Sequence, residues 1–191
     1  MTRQKITFVT GNKQKLDEFK KCLGEDVEKH FDISSKDVDL PEYQGEPAEV
    51  ARKKCLEAAR QVHGAVICED TSLCFRALNG LPGPYVKWFV EKIKPAGLVT
   101  LLAGHADKSA FVLSVFAYCG EDGQKVELFE GRKDGRIVAV RGQEGDGFEA
   151  IFQPEGEELT YAEMSKDKKT DISERSQSLH KLQQFLMDSV K

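Results

Sequence analysis

Short apolar runs alternate with amphipathic segments through the first half of the chain. Ile6–Val9 is rich in β-branched and aromatic residues, which suits a buried strand, whereas Leu16, Phe19 and Leu23 recur at the spacing of one helix face. This first helix is expected to end at Gly24. The same reasoning predicts strands at 30–34 and 65–68, helices at 47–62 and 85–93, and a Gly- and Pro-rich loop at 79–84. Strands and helices are thus predicted to alternate here.

Hairpin patterns separate the apolar runs of the second half. Ala110–Tyr118 predicts a long strand, the Glu-Asp-Gly segment at 121–123 predicts a tight turn, and Val126–Phe129 predicts the returning strand. Asp134-Gly135 predicts a second turn, which leads into a further strand at 136–140. Together these elements predict an antiparallel meander.

A closing helix completes the pattern. It is predicted from Ser173 to about Met187, with Ser173 as its N-cap. Neither an internal repeat nor a low-complexity linker divides the chain. The predicted fold class is α/β, with an elongated mixed sheet flanked by helices, and the whole chain, residues 1–191, is expected to form one domain.

Composition narrows the classes of function. The 191 residues are 40% hydrophobic and 31% charged, with a net charge of −4. This balance argues against a general nucleic-acid binder, which needs a basic surface. No apolar run approaches the roughly 18–20 residues of a membrane span, so no membrane partner is expected. Five cysteines without a CxxC pair are typical of free thiols in a reducing compartment, and we expect a cytoplasmic location.

A polar turn between the first strand and the first helix is a candidate phosphate site. It comprises Thr10, Gly11, Asn12, Lys13, Gln14 and Lys15. A helix amino terminus offers unpaired backbone N–H groups and the positive end of the helix dipole, which favour phosphate. The turn is not a Walker P-loop, because no GxxxxGK[ST] occurs. An ordinary strand–helix turn with solvated lysines is the alternative.

Two adjacent carboxylates form a candidate metal site. Glu69 and Asp70 follow the apolar run 65–68, and the predicted strand ends there, at the edge where α/β sheets commonly bind ligands. Neighbouring strand residues point to opposite faces, so a continuing strand would present only one of the pair to a given metal. Glu42, in a loop, is a further oxygen donor for Mg²⁺. A solvated acidic turn is the alternative.

Three further segments carry candidate chemistry. The Gly/Pro loop delivers Lys87, the segment 145–152 delivers an aromatic and a carboxylate, and charges cluster over 166–175. Phe148 is a candidate for stacking on a base, although a lone aromatic is more often part of a core. The charge cluster has a solvated surface as its alternative.

Taken together and in this order, the segments resemble the inosine triphosphate pyrophosphatase family over almost the whole chain. The motifs that carry the resemblance are Thr-Gly-Asn with Lys15, Leu-Pro-Glu-Tyr-Gln-Gly-Glu at 40–46, Cys-Glu-Asp-Thr-Ser-Leu at 68–73, Gly-Leu-Pro-Gly-Pro-Tyr-Val-Lys-Trp-Phe at 80–89, and Thr-Tyr-Ala-Glu-Met at 160–164. The Leu-Pro-Gly-Pro-Tyr stretch is the most specific of them.

The resemblance implies an elongated α/β homodimer with a nucleotide in a central cleft between two lobes. It also implies hydrolysis of ITP, dITP and XTP between the α and β phosphates, dependent on Mg²⁺ with Mn²⁺ as an alternative, which cleanses the nucleotide pool. It implies Lys15 and Asp70 as catalytic residues, with Asp70 or Glu149 as the base. The triphosphate would be held by Thr10, Gly11, Asn12, Lys13, Gln14, Lys15 and Lys54. The metal would be held by Glu42 and Asp70, next to Glu69. The rest of the substrate would contact Thr71, Lys87, Asp146, Gly147, Phe148, Glu149, Lys169, Glu174 and Arg175.

Two departures from the family pattern affect the segments that are expected to recognise the nucleotide base. Gly-Trp-Asp-Pro is replaced by Gly-Phe-Glu-Ala at 147–150, and Ser-His-Arg is replaced by Ser-Glu-Arg at 173–175. Glu174 exchanges a potential hydrogen-bond donor for a group that only accepts when ionised. Two alternatives therefore stay open: a nucleotide-binding protein of weakened activity, and the same chemistry with a shifted base preference.

Overall fold

The computed structural model describes residues 3–10, 13–142 and 147–190, in the first helix without the side chains of Lys13, Gln14, Asp17 and Glu18. The strands are β1 Gln4–Val9, β2 Phe31–Lys36, β3 Val66–Phe75, β4 Pro82–Gly83, β5 Ser109–Cys119, β6 Val126–Ile137 and β7 Phe152–Pro154. The helices are α1 Lys13–His30, α2 Pro47–Val62, α3 Val86–Leu101, α4 Lys166–Ile172 and α5 Glu174–Asp188, with short 3₁₀ turns at Arg76–Leu78 and Glu149–Ile151.

The strands form one mixed sheet in the order β2-β1-β3-β5-β6-β7, with β4 paired to β3. Strand β1 runs parallel to both β2 and β3, whereas β4 is antiparallel to β3 and β7 is antiparallel to β6. The predicted α/β class with a mixed sheet is confirmed. In the β1–β3 register Thr7 pairs with Val66 and Phe8 with Ile67, so Val9, the last residue of β1, lies level with Cys68, immediately before Glu69.

The chain divides into two compact units. The first comprises Met1–Asp70, Val115–Gly131 and Ser176–Lys191. In this unit α1 and α5 share one apolar cluster with the sheet, and α2 shares another. Adjacent residues of β3 show how the clusters are separated, because Ile67 joins the first whereas Val66 and Cys68 join the second. Each face of this part of the sheet is therefore covered by helices.

The second unit comprises Thr71–Ser114 and Arg132–Arg175. Its core joins α3 to the strands through residues such as Phe75, Leu98 and Phe152. Neither unit contains, in the parts of the chain described, a helix long and apolar enough to cross a membrane.

Two predicted strand ends are wrong. Strand β3 does not stop before Glu69 and Asp70 but continues to Phe75, because its second half is apolar and pairs with β4. Strand β6 likewise runs through the predicted Asp134-Gly135 turn to Ile137, and no separate strand spans 136–140 within the described chain. Gly135 pairs with Pro154 in β7, and a Cβ there would lie 2.4 Å from the Gln153 carbonyl oxygen. The glycine permits close strand packing instead of a turn.

Three helix predictions need smaller corrections. Gly24 breaks α1 with φ of 75°, as predicted, but a further helical segment follows to His30. Lys94 breaks α3 before Pro95, and helix then resumes to Leu101. The charged run that begins at Lys166 forms α4, which the sequence did not predict. The predicted closing helix is confirmed as α5.

Candidate active site

Lys54 lies between two carboxylates of the first unit. It occupies the row of α2 that also contains the buried residues Val50 and Ala58, so its side chain leans toward the sheet. Its Nζ atom is 2.9 Å from Oε2 of Glu42 and 3.0 Å from Oδ1 of Asp70. One ammonium group therefore contacts two carboxylates, and the three ionised groups together carry a net charge of −1. We call these three residues the carboxylate–lysine cluster.

Burial sets the electrostatics of this cluster. The side chains of Asp70 and Lys54 are 11% and 18% exposed, whereas that of Glu42 is 41% exposed. Burial raises the pKa of Asp70, and the nearby Lys54 only partly offsets that effect. Burial also lowers the pKa of Lys54, but the attraction of the two carboxylates outweighs it and the net shift is upward. The charges stabilise one another.

One oxygen of Asp70 is left for another ligand. Oδ1 accepts a hydrogen bond from Lys54, whereas Oδ2 is buried and has no hydrogen-bond partner among the described residues. A buried carboxylate oxygen without a partner is costly, because its desolvation is not compensated. A cation or a water molecule at Oδ2 would compensate it.

The second member of the acidic pair faces the other side of β3. Oε2 of Glu69 is 3.2 Å from Nζ of Lys15, and the Glu69 side chain is 2% exposed. Lys15 lies one turn before the buried Phe19 on α1. Glu69 and Asp70 thus take separate lysines on opposite faces, as expected for a continuing strand. The contact also brings the start of α1 and the acidic strand together.

The loop before α2 positions Glu42. Leu40 packs against the apolar cluster that includes Cys55 of α2, and Pro47 starts the helix. Gly45 adopts φ of 149°, and a Cβ there would lie 2.7 Å from Oε2 of Glu49. The loop is therefore fixed at both ends, with Glu42 between them.

The predicted phosphate turn is described only in part. The backbone N–H of Thr10 donates to the carbonyl of Lys36, at 3.0 Å. Gly11, Asn12 and, further along, Asp146 lie outside the described residues, and so do the side chains of Lys13 and Gln14. Lys15 is the member of the turn whose ionic partner is defined.

A second cluster lies in the second unit. Tyr161 donates its hydroxyl to Oε2 of Glu174, at 2.8 Å, and both side chains are buried. Lys169 pairs with Oε1 of Glu149, and its Nζ atom is 5.7 Å from the centroid of the Tyr161 ring. Burial raises the pKa of Glu174, and the Tyr161 hydrogen bond only partly offsets that effect. Sequence reasoning assigned no role to Tyr161, although it lies in the quoted motif at 160–164.

The remaining predicted residues of this unit are placed individually. Phe148 packs against the core of the second unit, after the bend at Gly147. Thr71 is half-buried in β3, next to Asp70 along the chain. Lys87 is exposed in the first turn of α3, with its Nζ 5.5 Å from the centroid of the Trp88 ring. Arg175 is half-buried in the first turn of α5.

A polar cavity of about 450 Å³ lies elsewhere in the second unit. Arg76, Asp134 and Arg136 line it, together with residues of β7 and the turn after it. Asp134 is bound by Arg76 at 2.6 Å and by Arg132 at 2.7 Å, and the Arg132 guanidinium stacks on Phe111. None of the predicted site residues lines this cavity.

No group of three or more His, Cys, Asp or Glu side chains suited to a metal ion occurs in the described ranges. The five cysteines, all within those ranges, form no disulfide bond. The carboxylate–lysine cluster is therefore a site with two carboxylates and one ammonium. Two carboxylates do not fill the coordination shell of a divalent cation, so the remaining oxygen donors would have to come from water or from a bound ligand.

Comparisons with known proteins agree with the motif resemblance. The family model described as "Ham1 family" matches residues 6–185. The Staphylococcus aureus Ham1 protein is 26% identical over 97% of this chain and 100% of its own, with a TM-score of 0.84. A dITP/XTP pyrophosphatase from Mycobacterium abscessus is 26% identical over 93% of this chain and 97% of its own, with a TM-score of 0.77. A Coxiella burnetii HAM1 protein, 24% identical over 97% of this chain and 99% of its own, shares the fold with a TM-score of 0.84.

Proposed function

Since the chain belongs to the Ham1 family, we propose that it is a Mg²⁺-dependent pyrophosphatase that hydrolyses ITP, dITP and XTP to the monophosphate and pyrophosphate. The similar protein from Mycobacterium abscessus is named a dITP/XTP pyrophosphatase, which supports this substrate class. The observation that carries the proposal is the carboxylate–lysine cluster. Its two carboxylates and one ammonium suit a complex of a polyphosphate with a divalent cation.

The residues present fit a magnesium ion. Mg²⁺ is commonly bound by one or two carboxylates, with phosphate and water oxygens completing the shell. Glu42 and Asp70 supply two carboxylates, and the buried Oδ2 of Asp70 has no hydrogen-bond partner in the described chain. We assign the ion to these two residues, with Mn²⁺ as a substitute. Glu69 is the weaker candidate, because it binds Lys15 on the other face of β3. Bound Mg²⁺ would neutralise charge on the phosphate oxygens.

The residues of the first unit then have distinct tasks. Lys15, Lys54 and the turn at 10–14 bind and orient the triphosphate, since phosphoryl-type transfer depends mainly on positioning and charge stabilisation. Asp70 is also the first candidate for the base that accepts a proton from the attacking water. Glu149 is the alternative base, but its Oε1 is held by Lys169.

The residues of the second unit are assigned to the sugar and base by the family resemblance. Lys169, Arg175 and the segment 146–149 would contact them, together with Thr71 and Lys87. Glu174 is buried against Tyr161, so its main task is to hold the start of α5, which carries Arg175. Arg175 would then donate to the 6-keto oxygen, which ATP lacks. A cytoplasmic homodimer is part of the proposal.

A nucleotide panel tests this proposal. Pyrophosphate release is measured with ITP, dITP, XTP, dUTP, ATP and GTP at equal concentration, with Mg²⁺ and with a chelator. We expect turnover of ITP, dITP and XTP. We expect little turnover of ATP, which lacks the 6-keto oxygen, or of GTP, which carries a 2-amino group, and none with chelator. Release from dUTP alone would show that the enzyme prefers a pyrimidine base to the purines proposed here. Absence of release from every nucleotide would overturn the enzymatic proposal and favour a binding protein.

A further inference from the structure

We propose that Lys54 is an internal counter-ion that competes with the divalent cation for Glu42 and Asp70, so that cation and nucleotide bind cooperatively. This inference rests on the proposed function, because it takes these two carboxylates as the cation site. It goes beyond that function by assigning to Lys54 a control of the order in which ligands bind. It also predicts how tightly the protein binds a divalent cation when no nucleotide is present.

The contacts of Lys54 carry the argument. Its ammonium lies 2.9 Å from a Glu42 oxygen and 3.0 Å from an Asp70 oxygen, so it already occupies the space that these carboxylates share. A divalent cation bound to the same oxygens would lie within a few ångströms of the ammonium, and like charges at that separation repel strongly. Cation binding therefore requires Lys54 to give up at least one carboxylate.

Lys54 is able to move in the way that this exchange needs. Its side chain is partly exposed, and a lysine carries its charge on a flexible four-carbon stem. The second oxygen of Asp70, which Lys54 does not contact, is buried, so the cation gains it as a ligand only when the lysine side chain moves. The movement of Lys54 and the entry of the cation are therefore expected to occur as one exchange.

A polyphosphate completes the exchange, because it offers the displaced ammonium a new anion. With Lys54 on phosphate, the lysine no longer competes with the cation for the two carboxylates. By thermodynamic linkage, nucleotide then raises the affinity for cation by the same factor as cation raises the affinity for nucleotide. Lys54 is thus expected to be the residue that couples the two ligands.

The neighbouring lysine provides a matched control. Lys53 precedes Lys54 on α2 but pairs with Glu49 one turn away, at 3.2 Å, and both of these side chains are exposed. Lys53→Met removes the same charge from the same helix without touching the carboxylate–lysine cluster. A long-range charge effect would appear in both variants, whereas competition would appear only at Lys54.

The experiment measures Mn²⁺ binding to the nucleotide-free protein by electron paramagnetic resonance of free Mn²⁺. We expect Lys54→Met to tighten Mn²⁺ binding by about tenfold or more, while Lys53→Met stays within about twofold of the wild type. Adding Glu42→Gln to Lys54→Met should remove the gain. Unchanged Mn²⁺ affinity in Lys54→Met, an equal gain in Lys53→Met, or no Mn²⁺ binding by any of these proteins would overturn the inference.

A second measurement tests the coupling with α,β-imido-ITP, a non-hydrolysable analogue. The analogue should raise the Mn²⁺ affinity of the wild type more than that of Lys54→Met, and equal increases would count against the inference.

Two controls keep the outcomes distinct. If circular dichroism shows that Lys54→Met does not fold, Lys54→Gln replaces it, because it also lacks the charge and carries the same expectations. Pyrophosphate release is assayed separately, so activity without the Mn²⁺ effect refutes only the counter-ion role. The Mn²⁺ effect without activity refutes only the enzymatic proposal.

Discussion

Asp70→Asn separates the proposed catalytic role of Asp70 from its contribution to stability. In the wild type, Nζ of Lys54 is 3.0 Å from Oδ1 of Asp70. The asparagine keeps the shape of the side chain and one oxygen that can still accept this hydrogen bond. It removes the negative charge and replaces one carboxylate oxygen by an NH₂ group, which neither binds a cation nor accepts a proton. Stability and activity are therefore expected to respond very differently.

The magnitudes follow from the burial and the contacts. A hydrogen bond between charged groups contributes about 1.5–3 kcal/mol, against about 0.5–1.5 kcal/mol for a neutral acceptor, so the weaker bond costs about 1 kcal/mol. The asparagine also avoids the desolvation of a carboxylate, which offsets part of that loss. The free energy of unfolding should change by less than about 1 kcal/mol. Loss of a base lowers kcat by about 10²–10⁴, or about 3–5 kcal/mol of transition-state stabilisation.

The assay pairs pyrophosphate release from ITP with urea unfolding of the same preparations. Glu49→Gln is the matched control, because Glu49 also pairs with a lysine of α2 but is exposed. We expect normal kcat and normal stability for the control, and reduced kcat with normal stability for Asp70→Asn. If Asp70→Asn retains kcat within about threefold of the wild type, the assignment of Asp70 as base is refuted.

Further predictions address the packing, a buried acid and the base preference. Gly135→Ala should lower the free energy of unfolding by about 2–3 kcal/mol because its Cβ meets backbone, whereas Gly104→Ala, with open space, should be near neutral in the same urea titration. Burial raises the pKa of Glu174 above its ordinary value of 4.5, so the folded state binds this proton more tightly than the unfolded state does. The free energy of unfolding therefore falls as the pH rises above 4.5. Glu174→Gln keeps an acceptor for Tyr161 and should gain stability relative to wild type between pH 4 and pH 7; equal pH dependence of the two urea midpoints would contradict this. Arg175→Ala should lower the ratio of kcat/KM for ITP over ATP by at least about tenfold, and unchanged selectivity would remove Arg175 from base recognition.

The sequence predicted most elements because their apolar patterns are local. Strand β3 shows where such patterns fail. Glu69 and Asp70 suggested a strand end, because charges inside a sheet are costly without partners. Their partners Lys15 and Lys54 come from two helices that are distant from them in sequence. That Glu69 and Asp70 would face opposite sides of a continuing strand was nevertheless predictable, since this follows from strand geometry alone.

Other differences also arise from tertiary contacts. Asp134-Gly135 has the composition of a turn, but the packing of β7 against Gly135 determines its extended conformation. The hydrogen bond from Tyr161 to Glu174 joins a turn to the first residue of α5, and no local sequence pattern predicts it. The residues proposed for metal and phosphate were predictable from motifs, whereas the sharing of Lys54 between two carboxylates required the structure.

The central claim is that the chain cleaves a purine nucleoside triphosphate between its α and β phosphates. Phosphorus NMR of ITP incubated with the wild-type protein and Mg²⁺ tests it most directly. The claim predicts that the signals of ITP are replaced by those of IMP and pyrophosphate, with no IDP. Formation of IDP and orthophosphate, or persistence of ITP at stoichiometric protein, would contradict it.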